Sequence, residues 1–418
     1  MDLSRRNLQL DVLRGLAILM VLACHSIFVQ KPSWNAAFIR AGWSGVDLFF
    51  VVSGFLISGL LFSEYRKTGG IRFRRFAIRR AVKIYPAFYA IVVVTVAAHF
   101  LQHPFSVQDE IWRHVVHDFF FVQSYWEGTS GHFWSLSVEE HFYILLPLAL
   151  FFMIRKAGDR KDDPFTAIPK VFVTVAAAVL MARLANAKTV VPFDWQRHPY
   201  VVPFDWERYL TPTHLRLDSL LFGVVISYWY HFHRERFSGF VGRYRHLILG
   251  AAGVFLSPLL FVSQYDPWMY TYGFVSVYLG YGCLLTGFLH VSPSALWRPV
   301  LIGFRAIAHI GTYSYSIYLW HLTWLDVVVW LNLGHVRFLP ILLFYVGAIG
   351  VGMVAGKLIE IPALRLRERL FPPTEHCRPI EAVVQARMEG SGGRSPACAA
   401  RIAETPHAMS PPLPSGNL

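Results

Sequence analysis

About ten stretches of roughly 20 predominantly apolar residues recur along this chain, each long enough to cross the hydrocarbon core of a bilayer as a helix. Inside lipid a backbone must satisfy its own N–H and C=O groups, which leaves helices and closed barrels. Continuous apolar runs without strict alternation select the helix. The predicted spans are approximately 8–29, 43–62, 82–102, 141–154, 168–187, 213–231, 246–263, 267–289, 308–330 and 338–359. The piece at 141–154 is short and is expected to begin earlier, between Trp134 and Glu140, whereas the aromatic piece at 111–122 is expected to lie at the interface. Composition agrees with a bilayer solvent: 55% hydrophobic and only 16% charged residues leave too little polar surface to cover a soluble globule of 418 residues. The first apolar run is long and has no small-residue cleavage site after it, so no cleavable signal peptide is expected.

Charge sets the orientation. With the N-terminus cytoplasmic, the inside segments carry 22 Lys and Arg and the outside segments 7. The positive-inside rule then places both termini in the cytoplasm. The net charge of +13 follows from basic loops facing anionic lipid and calls for no nucleic acid. Cys24, Cys283, Cys377 and Cys398 show no paired spacing, so neither a disulfide framework nor a zinc site is expected, and no metal is predicted. The domain reading is a membrane domain over 1–371 and a disordered cytoplasmic tail over 372–418, rich in Pro, Ser, Gly and Ala. One tandem repeat, Val190 to Trp195 and again Val201 to Trp206, reads as a tolerated loop insertion, with sugar stacking and hydroxyl binding by its paired Trp and Asp as the alternative.

Ionisable residues inside spans carry the functional signal, because they are costly there and usually line a cavity. Arg14 and His25 in the first span differ by only about 20° around a helix and about 16 Å along it, so they share a face at different depths. Arg14 can also snorkel to the interface, and a membrane histidine can simply bridge helices. Asp47 opens the second span on the same side as His25, where it either orients the imidazole or caps a helix start. Gly45, Gly54 and Gly59 in that span allow close helix packing. The segment from Arg72 to Pro86 interleaves cations with apolar residues; Arg80 and Lys83, three apart on one face, suit either a phosphorylated donor or lipid headgroups. The stretch His132 to Tyr143 places Glu139 and Glu140 at the mouth of the fourth span, positioned to hold an acceptor hydroxyl or a histidine, or else to mark the interface.

Taken in order, these segments resemble the bacterial transmembrane acyltransferase-3 family of membrane O-acyltransferases, which decorate surface polysaccharides and related glycosides. The resemblance rests on Arg14 and His25 in the first span, the Gly45 to Phe55 segment, Trp134-Ser135-Leu136-Ser137-Val138-Glu139-Glu140, and Ser314-Tyr315-Ser316-Ile317-Tyr318-Leu319-Trp320-His321. It runs from Leu8 to about Glu360. It implies a bacterial inner-membrane enzyme that uses acyl-coenzyme A as donor and a carbohydrate or glycosylated acceptor. His25 would be the catalytic histidine and Arg14 its partner, with Asp47 and Glu139 as further catalytic candidates. Arg79, Arg80 and Lys83 would hold the donor phosphates, and Trp134, Glu140, Tyr315 and His321 would contact substrate. Two departures stand out: Arg80-Ala81-Val82-Lys83 replaces the family's Arg-x-x-Arg and loses a bidentate fork, and His141 replaces the Gln after the paired glutamates. No soluble hydrolase-like domain is expected after the tenth span, and any second activity is expected from another protein.

His321 and Asp326 also form His-x-x-x-x-Asp, but on one helix they stand about 140° apart, so that match reads as chance. A non-enzymatic alternative is a proton-coupled transporter or flippase using the same buried Arg, His and Asp as a relay. That alternative expects related halves with broken helices in matching positions, and the sequence shows none.

Overall fold

The computed structural model describes residues 7–29, 36–102, 108–158, 163–187, 209–291, 297–331 and 338–371. The tandem repeat, the expected tail and two of the four cysteines lie outside them. Among the described residues the fold is helical, with no strand. The helices are α1 (Leu8–His25), α2 (Ala36–Ala41), α3 (Gly45–Thr68), α4 (Phe73–Gln102), α5 (Gln108–Phe119), α6 (Trp134–Ala157), α7 (Ile168–Ala187), α8 (Leu217–Phe232), α9 (Arg234–Leu256), α10 (Pro258–Phe261), α11 (Phe274–Phe288), α12 (Arg298–Thr312), α13 (Ser314–Trp330), α14 (Leu339–Ala355) and α15 (Ile361–Leu370).

Seven helical stretches among the described residues are long and apolar enough to cross a membrane: Leu8–Phe28, Ala37–Thr68, Phe73–Leu101, Trp134–Ala157, Ile168–Ala187, Arg234–Phe261 and Leu339–Leu370. The shorter helices α8, α11 and α13 fall within the other three expected spans. The described residues thus form an all-helical membrane fold. As expected, the fourth span starts early, at Trp134.

Three expectations need correction. The loop drawn at 232–245 is the start of α9, because Arg is a good helix former and its long stem lets the charge reach water while the helix continues. The loop drawn at 290–307 contains α12, whose Arg298, Arg305 and His309 recur on one face and dilute its apolar average. The single span drawn at 308–330 is two helices, broken at Tyr313 (φ −105°, ψ 8°).

Local chemistry sets the helix ends. Asn7 caps α1, its side-chain oxygen accepting from the N–H groups of Gln9 at 3.1 Å and Leu10 at 3.3 Å. Gly69, at φ 70°, closes α3 in the left-handed conformation that glycine adopts without penalty, and α4 begins four residues later. Two glycine crossings bring the bundle together. A Cβ at Gly54 would stand 1.9 Å from the Leu220 carbonyl oxygen, so α3 and α8 pack backbone to backbone. A Cβ at Gly311 would stand 1.9 Å from the Asp11 carbonyl oxygen, which lays α12 along α1.

Candidate active site

Helices α1, α3, α4, α6 and α13 enclose a cavity of about 370 Å³. Arg14 enters it from α1, Arg80 and Lys83 from consecutive turns of α4, and Glu139 and Glu140 from the start of α6. Hydroxyls of Ser53, Tyr143, Tyr315 and Tyr318 complete the polar wall. The helix periods explain the grouping: Arg80, Lys83 and Ile84 fall on one stripe of α4, as Ser135, Leu136, Glu139 and Tyr143 do on α6.

The wall is cross-linked. Tyr143 donates to Glu139 at 2.9 Å, so its oxygen must accept from Ser53 at 2.8 Å. The Arg80 guanidinium lies 5.2 Å from the centre of the Tyr143 ring, within cation–π range. Tyr85 donates to one Glu140 oxygen at 3.4 Å, and the other oxygen is buried without a protein partner. Tyr315 donates to the Ile84 carbonyl at 2.8 Å and ties α13 to α4. Arg14 lies 3.9 Å from Asp11, one turn back on α1.

At one end the cavity meets the Ser135–Tyr318 pair. Tyr318 donates to the His132 carbonyl at 2.8 Å, so its oxygen accepts from Ser135 at 2.6 Å. Beside this pair sit three imidazoles. His25 and His321 have ring centres 4.9 Å apart, with His321 Nε2 3.3 Å from His25 Nδ1, and the His132 ring is 4.9 Å from that of His321. His132 comes from the loop before α6, and burial pushes its imidazole down to about 3, which keeps it neutral. That loop is fastened by Asp118, which accepts from the Thr129 N–H at 3.0 Å and from the Thr129 hydroxyl at 2.5 Å. Burial pushes the Asp118 carboxyl up to about 6. Among the described residues no group of His, Cys, Asp and Glu is arranged to hold a metal ion.

Arg14, Arg80, Lys83, Glu139, Glu140 and Tyr315 therefore share one cavity. His25 and His321 pair behind the Ser135–Tyr318 contact, outside the lining. Asp47 and Trp134 stand elsewhere. Asp47 is fully buried and accepts from Arg216 at 2.8 Å and from Ser219 at 3.3 Å. Trp134 packs against Phe50 and lies 5.5 Å from the Arg216 guanidinium, which also stacks 4.1 Å from Phe274. A second buried pair, Arg183 with Asp218 at 2.8 Å, neighbours the first. Arg79 turns to α15, pairing with Glu368 at 3.2 Å and bonding the Phe371 carbonyl. Sequence reasoning missed the roles of His132, Tyr318 and Arg216. Tyr318 and His132 lie inside the motif segments, whereas Arg216, two residues before Asp218 at the edge of an apolar run, is the kind of intramembrane charge that signals a buried pair.

With this architecture and polar cavity, the protein is of the integral-membrane acyltransferase class. A family model described as an acyltransferase domain, that of the acyltransferase-3 family, matches residues 7–357, and the chain belongs to that family. It is similar to the peptidoglycan O-acetyltransferase OatA of Listeria monocytogenes, with 29% identity over 333 residues that cover 75% of this chain and 48% of that protein. It is also similar to the O-acetyltransferase OatA of Staphylococcus aureus, with 26% identity over 373 residues that cover 84% of this chain and 56% of that protein. The chain thus spans about half the length of these curated relatives. No solved structure matches it.

Proposed function

We propose that this chain transfers a short acyl group, acetyl first among candidates, from cytoplasmic acyl-coenzyme A to a hydroxyl of a cell-surface glycan. The observation that carries this reading is a cavity with Arg14, Arg80 and Lys83 facing Glu139 and Glu140, and ending beside the His25–His321 pair. Cations lining the cavity suit the donor's phosphates, and the cavity's length of apolar and polar wall suits its flexible arm and thioester. In this proposal ten spans with both termini in the cytoplasm, the orientation that the Lys and Arg distribution favours, set the Arg80 end inside and His25 in the outer half of the bacterial inner membrane.

In this scheme the acceptor hydroxyl gives its proton to His25 as its oxygen bonds to the acyl carbon, and the carbon–sulfur bond breaks to release the thiol. Arg14 supplies positive charge along the acyl path, and Glu139, held by Tyr143, fixes the cavity wall. Because His25 stands behind Ser135 and Tyr318, the acyl group has to pass that contact. The names of both relatives specify O-acetyl transfer, and that of the Listeria protein specifies peptidoglycan, which makes the glycan the first acceptor to test. Mass spectrometry of surface glycans from cells with and without the gene tests the proposal. An alkali-labile acyl ester on a glycan hydroxyl should vanish with the gene, and identical ester profiles would reject it.

A further inference from the structure

The contacts of the two paired histidines fix where their hydrogens lie. A carbonyl oxygen can only accept, so His321 Nδ1, 2.6 Å from the Tyr318 carbonyl, must carry a hydrogen. His25 Nδ1, 2.9 Å from the Val21 carbonyl, must carry one as well. In the neutral rings both lone pairs then belong to the Nε2 atoms. The Nε2 of His321 lies 3.3 Å from His25 Nδ1, so the His25 N–H is shared between the Val21 carbonyl and the His321 lone pair. The Nε2 of His25 is left as the proton-accepting nitrogen. Asp47 does not take the orienting role often filled by a carboxylate here: one of its oxygens accepts from Arg216 and Ser219, and the groups that meet His25 Nδ1 are the Val21 carbonyl and His321.

We propose that His321 is a positioning residue that shares the His25 Nδ1 hydrogen with the Val21 carbonyl and accepts a strengthened hydrogen bond when His25 takes up a proton, so that an imidazole does the work of the usual carboxylate. This rests on His25 being the base of the acyl transfer proposed above. As the acceptor oxygen bonds to the acyl carbon, the hydroxyl proton moves to His25 Nε2. The positive charge is then drawn toward Nδ1–H, which faces the neutral lone pair of His321. When the carbon–sulfur bond breaks, His25 returns that proton to the departing sulfur, and the pair regains its starting state. His321 itself keeps its Nδ1 hydrogen on the Tyr318 carbonyl throughout. His321 is 0% exposed, so water does not compete with His25 for its acceptor nitrogen.

Two substitutions and one spectrum test this. His321→Phe keeps a planar ring and removes the acceptor, whereas His321→Gln keeps an acceptor oxygen near the Nε2 position. In cells whose own copy is deleted, His321→Phe should slow the appearance of alkali-labile glycan acyl esters about 100-fold, in the range of losing general-base catalysis. His321→Gln should recover most of that loss while both proteins accumulate equally in the membrane. Equal losses in the two variants, or a wild-type rate in His321→Phe, would overturn the proposal. Independently of activity, nitrogen-15 NMR of the histidine-labelled full chain should show His25 protonated at Nδ1 both in the wild type and in His321→Phe, where the Val21 carbonyl still accepts that hydrogen, with the Nδ1 signal shifted in His321→Phe by loss of the second acceptor; an unshifted signal would overturn the proposal. A His25 that carries its hydrogen on Nε2 in the wild type would overturn the pairing. A wild type that shows the expected tautomer yet adds no acyl ester to glycans would defeat the acyltransfer reading and leave the pairing standing.

Discussion

Asp47→Ala should cost folding stability rather than catalysis. The carboxylate is 0% exposed and lies 2.8 Å from the Arg216 guanidinium, itself 2% exposed, so its removal strands a cation in the apolar interior. Breaking a buried ion pair on one side typically costs about 3–5 kcal/mol, because the remaining charge keeps its desolvation penalty without its partner. At about 1.4 kcal/mol per factor of ten, that lowers the folded population ratio by more than about a hundredfold. The faces of Phe274, Trp134 and Phe50 already surround Arg216 when Asp47 is present, so their cation–π contacts cancel in this difference and do not offset the loss. Replacing both partners, as in Asp47→Ala with Arg216→Met, should recover most of the loss, because an apolar pair in a buried site is often neutral. The assay is thermal unfolding of detergent-solubilised protein, followed by size-exclusion chromatography for each single variant and the double variant. A well-folded Asp47→Ala protein as inactive as a His25 variant would refute this reasoning and return Asp47 to the catalytic site.

Three further outcomes are expected. His25→Ala should abolish acyl transfer by about 10²- to 10⁴-fold with normal membrane insertion, and near-normal glycan acylation would remove His25 from the mechanism. Neutralising Arg80 and Lys83 together should weaken binding of coenzyme A derivatives to purified protein more than binding of the acceptor, whereas Lys83→Arg should be tolerated; unchanged donor affinity in the double variant would dismiss the donor site. In a background without the four native cysteines, Glu127→Cys should react with an impermeant maleimide added to intact spheroplasts and Thr68→Cys should not, since both positions are exposed but on opposite sides in the proposed orientation. Labelling of Thr68→Cys from outside would reverse the orientation.

The helical membrane class was legible because apolar runs longer than a bilayer is thick leave few other solutions. Much of the cavity was legible too: Arg14, Arg80, Lys83, Glu139 and Glu140 are charges inside or beside apolar runs, and helix periodicity gathers each set on one face. Helix ends were read less well where charge and apolar character mix, as in α9 and α12, because a hydropathy window averages two faces that differ. The sequence by itself determined which residues could not face lipid. Only the tertiary structure decided their partners: His321 meets His25 across 296 positions, Asp47 meets Arg216 across 169, and Arg79 leaves its neighbour Arg80 for Glu368. The physical reason is that helical periodicity fixes the direction of a side chain about its own axis, whereas its partner depends on how closely two axes approach. In this protein that approach is set by backbone contacts such as those at Gly54 and Gly311, between segments far apart in the chain.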